Sequence, residues 1–170
     1  DDLLKILIIE GSDGIFSEGS TLLPNDIATF DGLAIDLIQQ YQVANHLGRI
    51  TKPTIAAIDG SAHGQGLEIA LACDIRIASS TASFGFPESN IGLIPWDGGT
   101  QRLPRLVGQG LATQMLLTGK LLTAKDALES GLITEMGEPS NLHQMALEIG
   151  NHIATSAPVA AKYIKEAIRS

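Results

Sequence analysis

Apolar residues along the chain occur as short continuous runs in its first half and at helical spacing in much of the rest. The runs at 3–9, 54–58 and 74–78 predict three strands. The first is almost continuously apolar, which is typical of a sheet covered on both faces. Weaker runs at 82–86 and 133–136 are candidates for two more strands.

Between and after these runs an apolar residue recurs every three or four positions, as on the buried face of a helix. Asp26 is a candidate N-cap for a helix to about His46, and Thr123 for a helix over 124–130. Further predicted helices lie at 64–73, after Gly98 and Gly99 to about Leu106, and at 110–117, 142–155 and 158–169. The Gly, Ser and Pro content of 12–24 and 89–95 predicts loops.

This order of elements predicts an α/β fold in a single domain over 1–170, with a core at 3–136 and C-terminal helices at 142–169. A length of 170 residues is sufficient for one hydrophobic core, and 44% hydrophobic residues indicate a folded chain. Because the chain begins with Asp1 instead of Met and ends within a predicted helix, we expect it to be incomplete at both ends.

Charge and cysteine content exclude several classes of partner. A net charge of -8 argues against binding to nucleic acid or to an anionic membrane surface. No apolar run reaches the roughly 18 residues that a membrane span requires. Cys73 is the single cysteine and has no internal disulfide partner, so we expect a reducing compartment, the cytoplasm.

Two Gly-containing junctions, 16–20 and 60–66, follow the first two predicted strands. Glycine allows close approach of a ligand to the backbone, and a helix N-terminus presents unpaired N–H groups. Two such amides directed at one point would form an oxyanion hole for a thioester enolate. The alternative is that these glycines serve tight turns alone. His63 lies two residues from Ser61, and adjacent residues in a turn rarely form a catalytic triad, so a structural role for His63 is favoured.

Two glutamates are candidates for proton transfer. Glu68 lies in the first turn of the helix predicted at 64–73, among Leu, Ile and Ala, where partial desolvation would raise its pKa. Glu88 follows Pro87 in a predicted loop. Considered singly, Glu68 is more often an exposed residue at a helix start, and Glu88 an ordinary loop acid.

Several blocks occur together in a fixed order: Phe16-Ser17-x-Gly19, Lys52 to Ile58 with Gly60, Gly64-x-Gly66-Leu67-Glu68 continuing to Ala78, Phe84-Gly85-x-Pro87-Glu88, Gly92 to Pro95, Gly98 to Leu103, Leu117 to Gly119, and Ala127 with Gly131-Leu132. In this order and spacing they resemble the enoyl-CoA hydratase/isomerase (crotonase) superfamily, over about 4–167. The order of the blocks is specific, unlike any one Gly motif.

The resemblance implies a spiral of repeated β-β-α units that binds an acyl-CoA thioester. It places the thioester carbonyl between the backbone amides of Ser20 and Gln65. Glu68 would activate water for attack at Cβ, and Glu88 would exchange the proton at Cα. Substrate contacts would come from Gly19, Leu22, Ala62, Gly64 and Trp96. It further implies no metal, no cofactor beyond the CoA of the substrate, and a homotrimer or a dimer of trimers.

The sequence departs from the family pattern in two places. Gly19-Ser20-Thr21 replaces the usual Gly-Ala-Asp, without the Lys often found just beyond it. Trp96 stands where hydratases usually have Gly and some isomerases have an acid, and Asp97 is the nearest acid. The indole would narrow the acyl pocket or stack on the acyl group, or else serve as a core or interface aromatic.

Three functions therefore remain open: a hydratase using both glutamates, a double-bond isomerase using Glu88 alone or with Asp97, and a non-catalytic acyl-CoA-binding module.

Overall fold

The computed structural model describes residues 4–19 and 42–169, and every structural statement below refers to them. Ser20, Leu22 and the greater part of the helix predicted from Asp26 lie outside these ranges. The strands are β1 (Leu7–Glu10), β2 (Thr54–Ile58), β3 (Ser61–His63), β4 (Ile75–Ser79), β5 (Ser83–Gly85), β6 (Leu122–Thr123) and β7 (Glu135–Gly137).

The larger sheet is parallel throughout and has the strand order β1-β2-β4-β7. Strand β2 lies in its interior and is buried along its whole length. Its side chains alternate between two faces, so Ala56 and Ile58 join one apolar cluster while Ile55 and Ala57 join another. Burial on both faces explains why the residues of β2 after Thr54 are all apolar.

The helices are α1 (Val43–Gly48), α2 (Gln65–Ala72), α3 (Gly99–Val107), α4 (Gln109–Thr118), α5 (Ala124–Glu129), α6 (Leu142–Ala154) and α7 (Pro158–Arg169). The larger apolar cluster lies between the sheets and α1 to α5. On the opposite face of the larger sheet, Leu142 and Ala146 of α6 pack against Ile55, Ala57 and Ile77. Within the described ranges no helix is both long and apolar enough to cross a membrane.

A smaller sheet has the order β3-β5-β6, with β3 parallel to β5 and β5 antiparallel to β6. The loop after β1 joins this sheet through Ser17. The Ser17 amide donates to the Ser61 carbonyl, and the Ser17 carbonyl accepts from the His63 amide, each at 2.9 Å. The loop is therefore held beside the segment that leads into α2.

Most predicted elements are confirmed, with shifts of one or two residues at their ends. Strand β2 has the predicted bounds, and Thr123 caps α5 through a capping box with Asp126. The first strand is shorter than predicted and begins at Leu7. The sequence also missed the strands β3 and β6 and the 3-10 helices Pro87–Ile91 and Pro139–Asn141. The 3-10 helix Pro87–Ile91 replaces part of the loop predicted at 89–95. The single-domain organisation stays a prediction.

Candidate active site

Glu68 is held in a buried position at the start of α2. Its side chain is 1% exposed, and its Oε1 accepts hydrogen bonds from the backbone amides of Asp97 at 2.8 Å and Gly99 at 2.7 Å. A Cβ at Gly99 would lie 3.0 Å from Glu68 Oε1 and 2.8 Å from Phe86 Cζ, so a larger residue at 99 would disturb this contact. The alternative of an exposed glutamate at a helix start is therefore wrong.

Burial raises the pKa of Glu68 to about 7. The amide hydrogen bonds from Gly99 and Asp97 lower this pKa in part, and the negative charges of Asp97 and Glu88 raise it further. A carboxyl group with a pKa near neutrality can both accept and return a proton at physiological pH. Glu68 thus has the protonation behaviour that a general base requires.

Glu88 is the second buried carboxyl group. It lies in the 3-10 helix Pro87–Ile91, is 8% exposed, and has its pKa raised, chiefly by burial. Its Oε2 is buried without a hydrogen-bond partner in the described part of the chain. Buried polar atoms are nearly always paired, so an oxygen left without a protein partner is a candidate for contact with a ligand or a water molecule.

Both carboxyl groups lie near the start of α2, Glu68 on the helix itself and Glu88 on the 3-10 helix Pro87–Ile91. A Cβ at Gly64 would lie 2.7 Å from Glu88 Oε1, so the Glu88 carboxyl group packs against the residue that precedes Gln65. Glu68 lies three residues after Gln65 on the same helix. The charge of Glu88 is also the smallest of the causes that raise the pKa of Glu68.

Gly19 brings the loop after β1 to the start of α2. A Cβ at Gly19 would lie 2.9 Å from the His63 carbonyl oxygen and 3.3 Å from the Gln65 amide nitrogen. The residue adopts φ of +95°, a left-handed conformation that favours glycine. Of the two predicted oxyanion amides, Gln65 therefore lies at this junction, whereas Ser20 lies outside the described residues, as does Leu22.

Two other predicted substrate contacts, Ala62 and Trp96, differ in how far they are buried. Ala62 is fully buried in β3, opposite Phe84 of β5. Trp96 is partly buried, and its indole Nε1 is enclosed without a hydrogen-bond partner among the described residues. The roles of Ala62 and Trp96 in binding stay predictions.

His63 takes part in a chain of hydrogen bonds that the sequence did not reveal. Its Nδ1 lies 3.2 Å from Glu18 Oε2 and its Nε2 lies 3.0 Å from Ser83 Oγ, while Ser61 Oγ donates to Glu18 Oε1 at 2.6 Å. The Ser61 hydrogen bond is the main cause of a lowered pKa at Glu18. These hydrogen bonds join the loop after β1 to β3 and β5. This is the kind of structural role that the sequence favoured for His63.

Asp97 is fully buried, and its carboxylate accepts from two backbone amides at the start of α1. Oδ2 accepts from the Ala44 amide at 2.6 Å, and Oδ1 accepts from the Asn45 amide at 2.9 Å. The residues are 52 and 53 positions apart in the sequence, and no local pattern connects them. Among residues 4–19 and 42–169, no group of three or more His, Cys, Asp or Glu residues is arranged to hold a metal ion.

Known proteins that are similar to this chain in sequence include enoyl-CoA hydratases. A sequence model of the family described as enoyl-CoA hydratase/isomerase matches residues 1–170. The chain is 42% identical over 168 residues to the short-chain-enoyl-CoA hydratase of Clostridium acetobutylicum, covering 98% of this chain and 64% of the relative. It is 36% identical over 169 residues to the 2,3-dehydroadipyl-CoA hydratase of Escherichia coli, covering 99% and 66%.

Solved structures show the same similarity in three dimensions. DspI of Pseudomonas aeruginosa has a TM-score of 0.92 at 38% identity, with 99% of this chain and 65% of DspI covered. The enoyl-CoA hydratase of Bacillus anthracis has a TM-score of 0.84 at 34% identity, with 98% and 65% covered. The chain therefore spans just under two thirds of the length of these four proteins.

Proposed function

The chain belongs to the enoyl-CoA hydratase/isomerase family, and we propose that the protein adds water across the 2,3 double bond of an acyl-CoA thioester. The similarity to solved structures confirms the crotonase-type fold predicted from the sequence. One observation carries the proposal: two buried carboxyl groups, those of Glu68 and Glu88, lie beside the start of one helix. Hydration forms two bonds to the substrate, one to oxygen and one to hydrogen, and each glutamate serves one of them.

The backbone amides of Gln65 and Ser20 would hold the thioester carbonyl. The Gln65 amide lies in the first turn of α2, at the helix end where the helix dipole favours a developing negative charge. Donors of this kind stabilise the enolate that forms when water attacks, and losing one typically costs about 10²–10³ in rate. Because the donors are backbone groups, the side chains of Ser20 and Gln65 do not prevent this role.

Glu88 would donate a proton to the Cα atom of such a substrate. Cα is bonded to the thioester carbon, so an acid next to the carbonyl site is within reach of it, and Glu88 packs against Gly64 beside the Gln65 amide. Its raised pKa favours the protonated form that donates to Cα when the enolate collapses.

Glu68 would act on the water at Cβ. Its Oε1 is held by the Asp97 and Gly99 amides, so Oε2 would be the oxygen that takes the proton from water. One O–H bond of water breaks as the proton passes to Glu68, and the oxygen bonds to Cβ. Glu88 gives its proton to Cα, and exchange with solvent restores both groups.

Double-bond isomerisation is the second candidate. It moves one proton between two carbons, which Glu88 alone can do, and its support is that Glu88 Oε2 has no hydrogen-bond partner within the described ranges. The version that also uses Asp97 has less support, since both Asp97 carboxylate oxygens already accept from amides. A non-catalytic binding module would leave unexplained the two carboxyl groups whose burial raises their pKa values.

Other features of the proposal come from the family resemblance. We expect no metal and no cofactor apart from the CoA of the substrate, and a homotrimer or dimer of trimers. The single Cys73 is a buried free thiol, which agrees with a reducing compartment such as the cytoplasm.

The proposal can be tested by product identification. Purified protein is incubated separately with a 2-enoyl-CoA and a 3-enoyl-CoA in water enriched in ¹⁸O, and products are analysed by mass spectrometry. A 3-hydroxyacyl-CoA containing one ¹⁸O supports hydration. Conversion of the 3-enoyl to the 2-enoyl compound without ¹⁸O would instead support isomerisation. Binding measured by calorimetry without turnover of either compound would support the binding module.

A further inference from the structure

The carboxylate of Asp97 joins two parts of the chain that are distant in sequence. Its two oxygens accept from consecutive amides, Ala44 and Asn45, in the first turn of α1. A carboxylate that accepts charge-assisted hydrogen bonds from backbone amides is held firmly, and a fully buried one has few alternative partners. The side chain thus ties residue 97 to α1.

The main chain of Asp97 is fixed as well. Its carbonyl oxygen accepts from Arg102 Nη1 at 2.7 Å, and Arg102 Nη2 donates to Asn45 Oδ1 at 2.9 Å. Arg102 therefore makes a second connection between the same segment and α1. Displacing segment 97–99 would break both connections.

The amides of this segment reach the Glu68 carboxyl group. The Asp97 N–H and the Gly99 N–H both donate to Oε1 of Glu68, so any shift of segment 97–99 would move these donors. A misplacement of about 1 Å in catalytic geometry can cost about 10² in rate.

We propose that Asp97 is a positioning residue: it anchors segment 97–99 to α1, so that the amides of Asp97 and Gly99 orient the Glu68 carboxyl group toward the water. Asp97 itself exchanges no proton with the substrate. The inference rests on the proposed function for its kinetic consequence, whereas the anchoring itself does not depend on that function.

The direction in which the pKa of Glu68 changes when Asp97 is replaced separates a positioning role of Asp97 from a simple effect of its charge. The charged groups that act on Glu68 are Asp97 and Glu88, and the amide bonds of Gly99 and Asp97 lower the Glu68 pKa more than the Asp97 charge raises it. If Asp97 only supplied charge, removing it would lower the pKa of Glu68. If Asp97 positions the amides, its loss weakens their bonds, and the pKa of Glu68 rises.

The test uses Asp97→Asn and Asp97→Ala, with kcat/KM for 2-enoyl-CoA hydration measured across pH. We expect losses of about 10-fold for Asn and about 10²-fold for Ala, because Asn retains one acceptor oxygen. The rising limb of the profile should move to higher pH in both variants. A limb that moves to lower pH, or does not move, would overturn the proposal.

Two further variants keep the test decisive. Asn45→Ala removes the Arg102 connection without changing any charge, and should move the limb in the same direction by a smaller amount even if Asp97→Ala does not fold. Asp74→Asn is the matched control: Asp74 Oδ2 accepts from the Thr54 amide at 2.8 Å and pairs with Lys165, in contacts that do not include Glu68. It should reduce stability and leave the pH profile unchanged.

Amide hydrogen exchange measures the anchor without activity. Asp97→Asn should accelerate exchange at the amides of Ala44, Asn45 and Gly99 relative to those of β2. If the unmodified protein does not hydrate any enoyl-CoA, the proposed function fails, and faster exchange at these three amides still supports the anchor. Unchanged exchange would contradict the anchor, whatever the activity.

Discussion

The carboxyl group of Glu88 packs against Gly64 so closely that a Cβ at Gly64 would lie 2.7 Å from Oε1. Gly64 also has φ of +52°, a conformation that residues with side chains rarely adopt. Two features therefore favour glycine at position 64, namely its backbone conformation and the closeness of the Glu88 carboxyl group.

Gly64→Ala should therefore reduce hydration strongly. The methyl group would displace the Glu88 carboxyl group, and we expect kcat/KM to fall by about 10²-fold, together with about 1–2 kcal/mol of stability from backbone strain. Steady-state kinetics and urea unfolding measure the two effects. Gly108→Ala is the control, because Gly108 has φ of +79° and open space around its Cβ position. It should lose similar stability and keep its activity; equal loss of activity in both variants would refute the specific role of Gly64.

Gly99→Ala should affect Glu68 in a related way. A Cβ at Gly99 meets Phe86 Cζ at 2.8 Å and Glu68 Oε1 at 3.0 Å, so the amide hydrogen bond to Glu68 must lengthen. We expect kcat/KM to fall by about 10-fold or more, with the rising limb of the pH profile moved upward. Gly110→Ala, in the open surface of α4, is the control and should stabilise the protein by up to about 1 kcal/mol. Unchanged activity in Gly99→Ala would show that this contact does not control Glu68.

The raised pKa of Glu68 predicts a pH dependence of stability. The folded protein retains the proton up to about pH 7, whereas an unfolded glutamate releases it near 4.5. The folded state binds more protons in that window, so the free energy of unfolding falls as pH rises through it, by at most about 3 kcal/mol. Glu68→Gln keeps the acceptor oxygen and removes this dependence.

Urea unfolding at pH 5 and pH 8 tests this. Relative to the unmodified protein, Glu68→Gln should gain about 2 kcal/mol between the two pH values. The raised pKa of Glu88 predicts a change in the same direction for Glu88→Gln. Glu138→Gln removes an exposed glutamate and controls for the change in net charge. A Glu68→Gln variant that becomes relatively less stable at pH 8 would contradict the burial of an acid with a raised pKa.

Trp96 gives a prediction about the acyl group. If its indole lines the acyl pocket, Trp96→Gly should lower KM for longer or bulkier 2-enoyl-CoA substrates relative to crotonyl-CoA, while Trp96→Phe should keep the original preference. A panel of chain lengths measures this ratio. A uniform loss of stability without any change in the ratio would indicate a core or interface aromatic instead.

The sequence predicted those parts of the fold that depend on local patterns. Strand β2 is buried on both faces, so every one of its residues except Thr54 is apolar, and the pattern is unambiguous. Strand β3 was missed because it has three residues, two of them polar, and its pairing with β5 is a long-range property. Burial at Glu68 was inferred from its neighbours, but the resemblance to a family was needed to pair it with Glu88.

The connections around the site were beyond local patterns for the same reason. Asp97 accepts hydrogen bonds from Ala44 and Asn45, which precede it by 53 and 52 positions in the sequence. Glu18 accepts one from Ser61, which is 43 positions away. Such contacts depend on how loops meet after the sheets have formed. The sequence identified Asp97 as an acid near the site, and the structure shows which groups its carboxylate binds.

The central claim is that two buried glutamates together add water to an enoyl-CoA. The most direct measurement compares the unmodified protein with Glu68→Gln and Glu88→Gln for ¹⁸O incorporation into a 2-enoyl-CoA, with folding confirmed by circular dichroism. Each variant should lose about 10²-fold or more of the hydration rate and retain substrate binding. Full hydration by either folded variant would contradict the claim.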